Sequence, residues 1–175
     1  MKKIIVAVAL ACAAVFAQAA SFDWSASRVY DSSGTLTSTT GYLVLTSDMA
    51  RDDAVTAISK GNIASVTSAA KNSASFANGS MSASAANTFD YTIAAGESLS
   101  AFFVVVDGDK AFVSAVASAV AVETGSSTFV FGNQKTATQS AANWMSTGGE
   151  QAPEPTSGML LLIGLAGLAL RRKQA

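Results

Sequence analysis

The residues that could perform chemistry in this chain are few. The 175-residue sequence contains no histidine, which excludes histidine-dependent catalytic triads, histidine-ligated metals and histidine proton shuttles. Its one cysteine, Cys12, lies in an N-terminal segment that we expect to be removed. Lysine and arginine total 11 against 12 acidic residues, a balance that argues against nucleic acid as a partner.

One serine has a lysine at the spacing that a serine nucleophile requires. Ser68 and Lys71 match the pattern Ser-x-x-Lys, in which the lysine activates the serine. The companion Lys-Thr-Gly motif is missing, and the nearest sequence is Lys135-Thr136-Ala137. In a chain so rich in serine and alanine the match carries little weight, so we expect no catalytic residues and no enzymatic activity.

Two groups of carboxylates could donate oxygens to calcium. Asp107-Gly108-Asp109 lacks the further ligands and the distal glutamate of a full calcium loop, so we predict a tight turn there. Asp48, Asp52 and Asp53 instead favour the start of a helix, where negative charge is stabilising. We therefore expect no metal site and no cofactor.

The aromatic residues could include a platform on which sugars stack. The candidates are Trp24, Tyr30, Tyr42, Tyr91 and Trp144. Aromatic residues make up only 8% of the chain, so we expect most of them in the core. Glycan binding is nevertheless the alternative to a structural role.

The elements that would position these residues are mostly strands. Period-two alternation, as in Phe22, Trp24 and Ala26, and short runs rich in valine and aromatics are separated by polar turns such as Asn78-Gly79. The predicted strands are Phe22–Tyr30, Gly41–Thr46, Thr88–Ile93, Leu99–Val106, Phe112–Glu123 and Ser127–Phe131, and the segment around Trp144 is predicted to be a last strand or a strap. This pattern predicts a mainly β fold, a single β-sandwich-like body.

One short helix interrupts the strands. Ser47 is expected to cap a helix over Met49–Ser59 that ends at Lys60 and Gly61. Its apolar residues would face the sheet; they are Ala54, Val55, Ile58 and Met49. The following segment, Ala64–Ala86, is predicted to be a loop or weak strands.

The N-terminus is typical of a secretory signal peptide. Met1-Lys2-Lys3 is followed by an apolar run, Ile4–Phe16, and by the small residues Ala17 and Ala19. We predict cleavage after Ala19, which implies the Sec translocon and signal peptidase as partners. A retained N-terminal anchor is the alternative.

The C-terminus combines two prolines around a glutamate, a short apolar run and a basic cluster. They are Pro153, Glu154 and Pro155, then Gly158–Leu170, then Arg171, Arg172 and Lys173. As a helix the apolar run would be roughly 20 Å long at ~1.5 Å per residue, which is short for a bilayer core of about 30 Å. The basic cluster would stay on the cytoplasmic side of the inner membrane.

This order of features resembles the PEP-CTERM sorting signal of bacteria. The resemblance implies recognition by an exosortase, a membrane enzyme of the cysteine transpeptidase type. Pro153, Glu154 and Pro155 would be the recognition motif, the apolar run a transient anchor in the inner membrane, and the basic cluster the membrane stop signal. It implies an inner-membrane-anchored precursor that is then passed to the cell surface or extracellular matrix. An ordinary tail anchor is the alternative.

The body also resembles small PEP-CTERM proteins of Lentisphaerota and Verrucomicrobiota. The resemblance rests on Phe22-Asp23-Trp24, on Gly41-Tyr42-Leu43-Val44 and on the strand Phe102–Asp107. It implies no known activity.

These observations divide the chain into four parts. The predicted parts are a signal peptide (1–19), an exported mostly-β domain (20–147), a linker with the Pro-Glu-Pro motif (148–157), and a transmembrane helix with its basic tail (158–175). We expect a structural or adhesive component of the cell surface or matrix, with exopolysaccharide as a further partner. The alternative is a glycan-binding module.

Overall fold

The computed structural model describes residues 18–148, and the expected signal and transmembrane helices lie outside them. Within this range strands predominate. The strands and helices are β1 (Gln18–Ser27), β2 (Thr40–Leu45), α1 (Arg51–Ser59), α2 (Ile63–Ser68), β3 (Asn72–Ser75), β4 (Phe89–Ile93), β5 (Ser98–Asp107), β6 (Lys110–Val113), β7 (Ala117–Val120), β8 (Ser126–Asn133), α3 (Lys135–Thr138) and β9 (Trp144–Ser146).

The strands form two sheets. A three-stranded sheet has the order β4-β1-β8, and a six-stranded sheet has the order β3-β2-β5-β6-β9 with β7 also paired to β5. β1 runs parallel to β8, whereas the other strand pairs within residues 18–148 are antiparallel. The prediction of a mainly β body is confirmed.

The central strands of the six-stranded sheet, β2, β5 and β6, are largely buried on both faces. Leu43, Leu45 and Phe103 face the three-stranded sheet and form one apolar core with it. The alternate residues, Val44 and Phe102, pack with α1 and α2 in a second core. Successive side chains of a strand point to opposite faces, so burial of both faces explains why β2 and β5 read as continuous apolar runs.

Aromatic rings join the two sheets. The Trp24 ring centroid lies 5.8 Å from that of Phe103 and 6.3 Å from that of Phe76. Gly41 leaves room for these rings, because a Cβ atom there would lie 2.7 Å from Phe76 and 2.9 Å from Trp24. The sandwich core therefore depends on a residue without a side chain in β2.

The first helix begins later than the sequence predicted. It starts at Arg51 after Ala50, which makes no side-chain capping bond, so the prediction of a Ser47 cap and a Met49 start is wrong. The chain is still in a turn there, because the backbone N–H of Met49 donates to Leu45. The predicted end is confirmed: Lys60 is the C-cap, and Gly61 has a φ of 77°.

The expectation of a single short helix is also wrong. α2 forms within the stretch predicted to be loop or weak strands, and the only strand there is β3. Ile63 and Val66 are three residues apart and lie on the same side of α2, against the second core. Because the neighbouring residues are small or polar, the spacing of Ile63 and Val66 was too weak a pattern to predict a helix from the sequence.

One predicted strand is two strands. The run Phe112–Glu123 is divided between β6 and β7, which pair with different parts of β5. At the break, the buried Ser114 hydroxyl accepts the Phe103 backbone N–H at 2.9 Å. The Ser114 side chain thus takes the place of a backbone carbonyl as the acceptor for Phe103, at the point where β6 stops pairing with β5. None of the helices in residues 18–148 has the length and apolar character needed to cross a membrane.

Candidate functional site

Most of the predicted sorting and processing residues lie outside the described part of the chain. This holds for Ala17, Pro153, Glu154, Pro155, Arg171, Arg172 and Lys173. Ala19 is described: it is exposed and lies opposite Thr92 in the β1–β4 ladder. Cleavage after Ala19 would leave a mature chain that begins at Ala20, a buried residue of the same strand.

Ser68 and Lys71, which match the Ser-x-x-Lys pattern, lie at the end of α2 and just before β3. Ser68 is the exposed last residue of α2. The Lys71 ammonium lies 5.6 Å from the centroid of the Tyr91 ring, a distance at which the cation is attracted to the ring. The contact between Lys71 and Tyr91 therefore joins the start of β3 to β4.

The Asp107-Gly108-Asp109 segment forms the predicted tight turn. It joins β5 to β6, and Gly108 has a φ of 59°. The Asp107 carboxylate accepts hydrogen bonds from the Ser32 backbone N–H at 2.9 Å and from the Ser32 hydroxyl at 2.5 Å. Asp107 thus fixes the loop that follows β1.

The same loop contains a second carboxylate that binds backbone groups. Asp31 accepts hydrogen bonds from the Ser33 hydroxyl at 2.7 Å and from the backbone N–H groups of Ser33 and Thr35, each at 2.9 Å. The Ser33 hydroxyl and these backbone donors lower the pKa of Asp31 below its ordinary 3.8, against a smaller opposing effect of burial. The charged carboxylate is what closes this loop.

Of the three carboxylates predicted at the start of the first helix, Asp48 lies before α1, in the turn where its backbone N–H donates to Leu45. Asp52 and Asp53 lie in the first turn of α1, as predicted. Asp52 is 3.5 Å from the Arg51 guanidinium, which also donates to the Ser114 carbonyl at 2.7 Å. Within residues 18–148, no group of three or more acidic, histidine or cysteine side chains is placed to hold a metal ion.

The two tryptophans of the proposed sugar platform belong to the core. Trp24 is fully buried and donates its indole N–H to Asn72 Oδ1 at 3.0 Å. Trp144 is 8% exposed and donates to the Thr138 carbonyl at 2.7 Å. Three half-buried tyrosines complete the set of candidates; they are Tyr30 in a loop, Tyr42 on β2 and Tyr91 on β4.

A small cleft opens between α1, β6 and β9. Its volume is about 310 Å³, and its lining includes Val55, Phe112 and Met145, with Arg51 and Asn143 as polar residues. The Arg51 guanidinium is already bonded to main-chain carbonyls, and the Asn143 amide donates to the Ala137 carbonyl. The polar groups of this cleft therefore serve the fold.

Sequence reasoning missed one carboxylate, Asp23 of β1. The alternation that directs Phe22 and Trp24 into the core directs Asp23 to the opposite face of the three-stranded sheet. Asp23 is nevertheless only 8% exposed. Its Oδ2 accepts a hydrogen bond from the Ser126 hydroxyl at 2.9 Å, while its Oδ1 is buried without a hydrogen-bond partner. The period-two pattern could have indicated this residue, because Asp23 is a charged residue between two large aromatic residues, Phe22 and Trp24.

The comparison with protein-family models concerns the C-terminal segment. Residues 151–173 match the PEP-CTERM protein-sorting motif. We call these residues the PEP-CTERM tail. No curated protein and no solved structure matches the chain.

The PEP-CTERM tail implies exosortase-dependent sorting of an exported protein. Exosortase is then the processing partner, acting on a membrane-anchored precursor that is exported to the cell surface. The match includes Pro153, Glu154 and Pro155, together with the basic cluster that ends at Lys173. The likeness of the body to proteins of particular bacterial phyla stays a prediction.

Proposed function

We propose that the body of this chain, residues 20–147, is a non-enzymatic structural or adhesive component of the cell surface or extracellular matrix, delivered there by the PEP-CTERM tail. The motif match over residues 151–173 is the observation that supports this route to the cell surface. The role of the body is inferred from how its polar groups are used.

The tail sequence suits a transient anchor that is cut outside the membrane. Pro153 and Pro155 are the only two prolines of the chain; each fixes its own φ and favours an extended residue before it. An extended segment is a good substrate for an enzyme at the membrane surface. The apolar run that follows has 13 residues, Gly158–Leu170, so it spans a bilayer only marginally.

The use of polar groups within the fold supports the structural role. Asp31 and Asp107 close the loop after β1, and both indole N–H groups are bonded inside the protein. These are the residue types that a hydrolase or a glycan-binding site would present to its ligand. Their engagement within the fold favours a scaffold.

Mass spectrometry of the surface-released protein tests the delivery. We expect a mature N-terminus at Ala20, produced by signal peptidase, and a C-terminus that lacks Arg171–Lys173 only when exosortase is present. Glu154→Ala is expected to leave the precursor in the membrane, whereas the matched control Glu150→Ala, outside the motif match, is released normally. Release of a chain that keeps its basic cluster would contradict the proposal.

A glycan array tests the role of the body. The released protein is expected to bind no sugar selectively and to co-fractionate with the insoluble matrix. Selective binding of one saccharide class would replace the scaffold role with glycan binding.

A further inference from the structure

We propose a calcium site on the outer face of the three-stranded sheet, formed by the carboxylates of Asp23 and Asp90 and the hydroxyls of Ser21 and Ser126. This inference does not depend on the role proposed for the body. Asp23 is a buried carboxylate whose Oδ1 has no hydrogen-bond partner.

Strand register places the four residues together. Ser21 of β1 lies opposite Asp90 of β4 on one side and opposite Ser126 of β8 on the other. Asp23 is two residues further along β1 and so shares their face. It is diagonal to Asp90, an arrangement in which Cβ atoms are about 7–8 Å apart or somewhat less. Two aspartate side chains at that separation can reach one ion between them.

The hydroxyls already orient both carboxylates. Ser21 donates to Asp90 Oδ1 at 2.6 Å, and Ser126 donates to Asp23 Oδ2 at 2.9 Å. Each carboxylate thus has one oxygen bonded to a serine, and the Asp23 oxygen that is left is buried without a partner. A buried carboxylate oxygen without a donor is unfavourable unless water or a cation satisfies it.

The donor set suits calcium. Calcium binds carboxylate, hydroxyl and water oxygens in flexible geometry, whereas magnesium requires a near-ideal octahedron and gives up its water reluctantly. Because the site has only two carboxylates, we expect the affinity of extracellular calcium modules, with a Kd of about 10⁻⁴–10⁻³ M. A bound ion would also relieve the repulsion between Asp23 and Asp90.

Terbium luminescence tests the site in the full-length chain purified in detergent. Terbium replaces calcium and is sensitised by nearby tryptophan, and Trp24 directly follows Asp23 in β1. We expect luminescence that calcium displaces at millimolar concentration and magnesium does not. Asp90→Asn, at an exposed position that can still accept the Ser21 hydrogen bond, is expected to weaken binding about tenfold because affinity follows ligand charge. Asp109→Asn, an exposed carboxylate in the β5–β6 turn, is the control and is expected to bind as wild type does.

Thermal unfolding gives a second readout. With a millimolar Kd, 10 mM calcium is expected to raise the Tm of the wild type by about 5 °C, and to raise that of Asp90→Asn by much less. Asp23→Asn is expected to behave like Asp90→Asn. If Asp23→Asn does not fold, the comparison of Asp90→Asn with Asp109→Asn decides alone. Equal terbium signals or equal Tm shifts in those two variants, or no signal in the wild type, would overturn the proposal.

Discussion

The Asn78-Gly79 turn gives a sharp test of how the loops are packed against the sandwich. Ala77 and Ser80 pair across this turn, the Gly79 N–H donates to the Thr37 carbonyl at 2.6 Å, and the Gly79 carbonyl accepts from Val29 at 2.8 Å. Gly79 has a φ of 70°. A Cβ atom there would lie 2.5 Å from the Val29 carbonyl oxygen. Gly79→Ala therefore combines backbone strain with a collision against main chain.

The two costs can be separated with a matched control. Gly34 also has a positive φ, 86°, but a Cβ atom there would meet nothing within 4 Å. Alanine in the left-handed region costs about 1–2 kcal/mol, which is the whole effect expected for Gly34→Ala. Overpacking adds about 1–3 kcal/mol, so we expect Gly79→Ala to lose about 2–5 kcal/mol of unfolding free energy.

Urea and thermal denaturation of the two variants measure this difference. At about 4 °C of Tm per kcal/mol for a body of this size, Gly34→Ala is expected to lower Tm by about 4–8 °C and Gly79→Ala by about 8–20 °C. If the two variants differed by less than about 0.5 kcal/mol, the surroundings of Gly79 would have to yield without cost. That result would refute the argument that the collision with Val29 is rigid.

Three further substitutions test other contacts. Asn72→Ala is expected to cost about 1–3 kcal/mol in urea denaturation because the buried Trp24 indole N–H loses its acceptor; an equal loss in a Trp24→Phe background would contradict this. Ile58→Ala is expected to cost about 2–5 kcal/mol by opening a cavity under α1, and Ser59→Ala, an exposed control on the same helix, is expected to cost far less. Asp31 has its pKa lowered, first by the neighbouring serine hydroxyl. Its contribution is therefore complete above pH 3.8 and lost as pH falls through the folded pKa, so Asp31→Asn is expected to be less stable than wild type at pH 7 and equal to it well below pH 3.8. An equal difference at both pH values would contradict that assignment.

The strands could be predicted from the sequence wherever a side-chain pattern reports which faces are buried. Gly41–Thr46 and Leu99–Val106 were predicted within one residue of β2 and β5 at each end, because strands buried on both faces are continuously apolar. The alternation around Trp24 likewise identified β1. The PEP-CTERM tail could also be recognised from the sequence, since the motif is defined by the order of features along the chain and not by a fold.

What could not be predicted depends on contacts distant in sequence. Nothing local shows that β1 pairs in parallel with β8, or that Ser114 ends β6 by bonding to β5. α2 was missed because its apolar side is only Ile63 and Val66, a spacing too short to stand out in a polar segment. The sequence shows Asp23 only as the middle residue of Phe22-Asp23-Trp24, and its burial depends on neighbouring strands that the sequence does not reveal.

The pairing of β1 with β8 has a consequence for how the chain matures. Ser21 lies opposite Asp90 of β4 and Ser126 of β8, so β1 gains its second partner strand only after more than a hundred further residues. Contacts of such high sequence separation slow folding, because loop closure must precede the stabilising contacts. The body has no cysteine and hence no disulfide to fix a partial fold. The three-stranded sheet therefore cannot be completed until nearly all of the domain has been synthesised, and a chain in which this sheet is incomplete is easier to thread through a membrane.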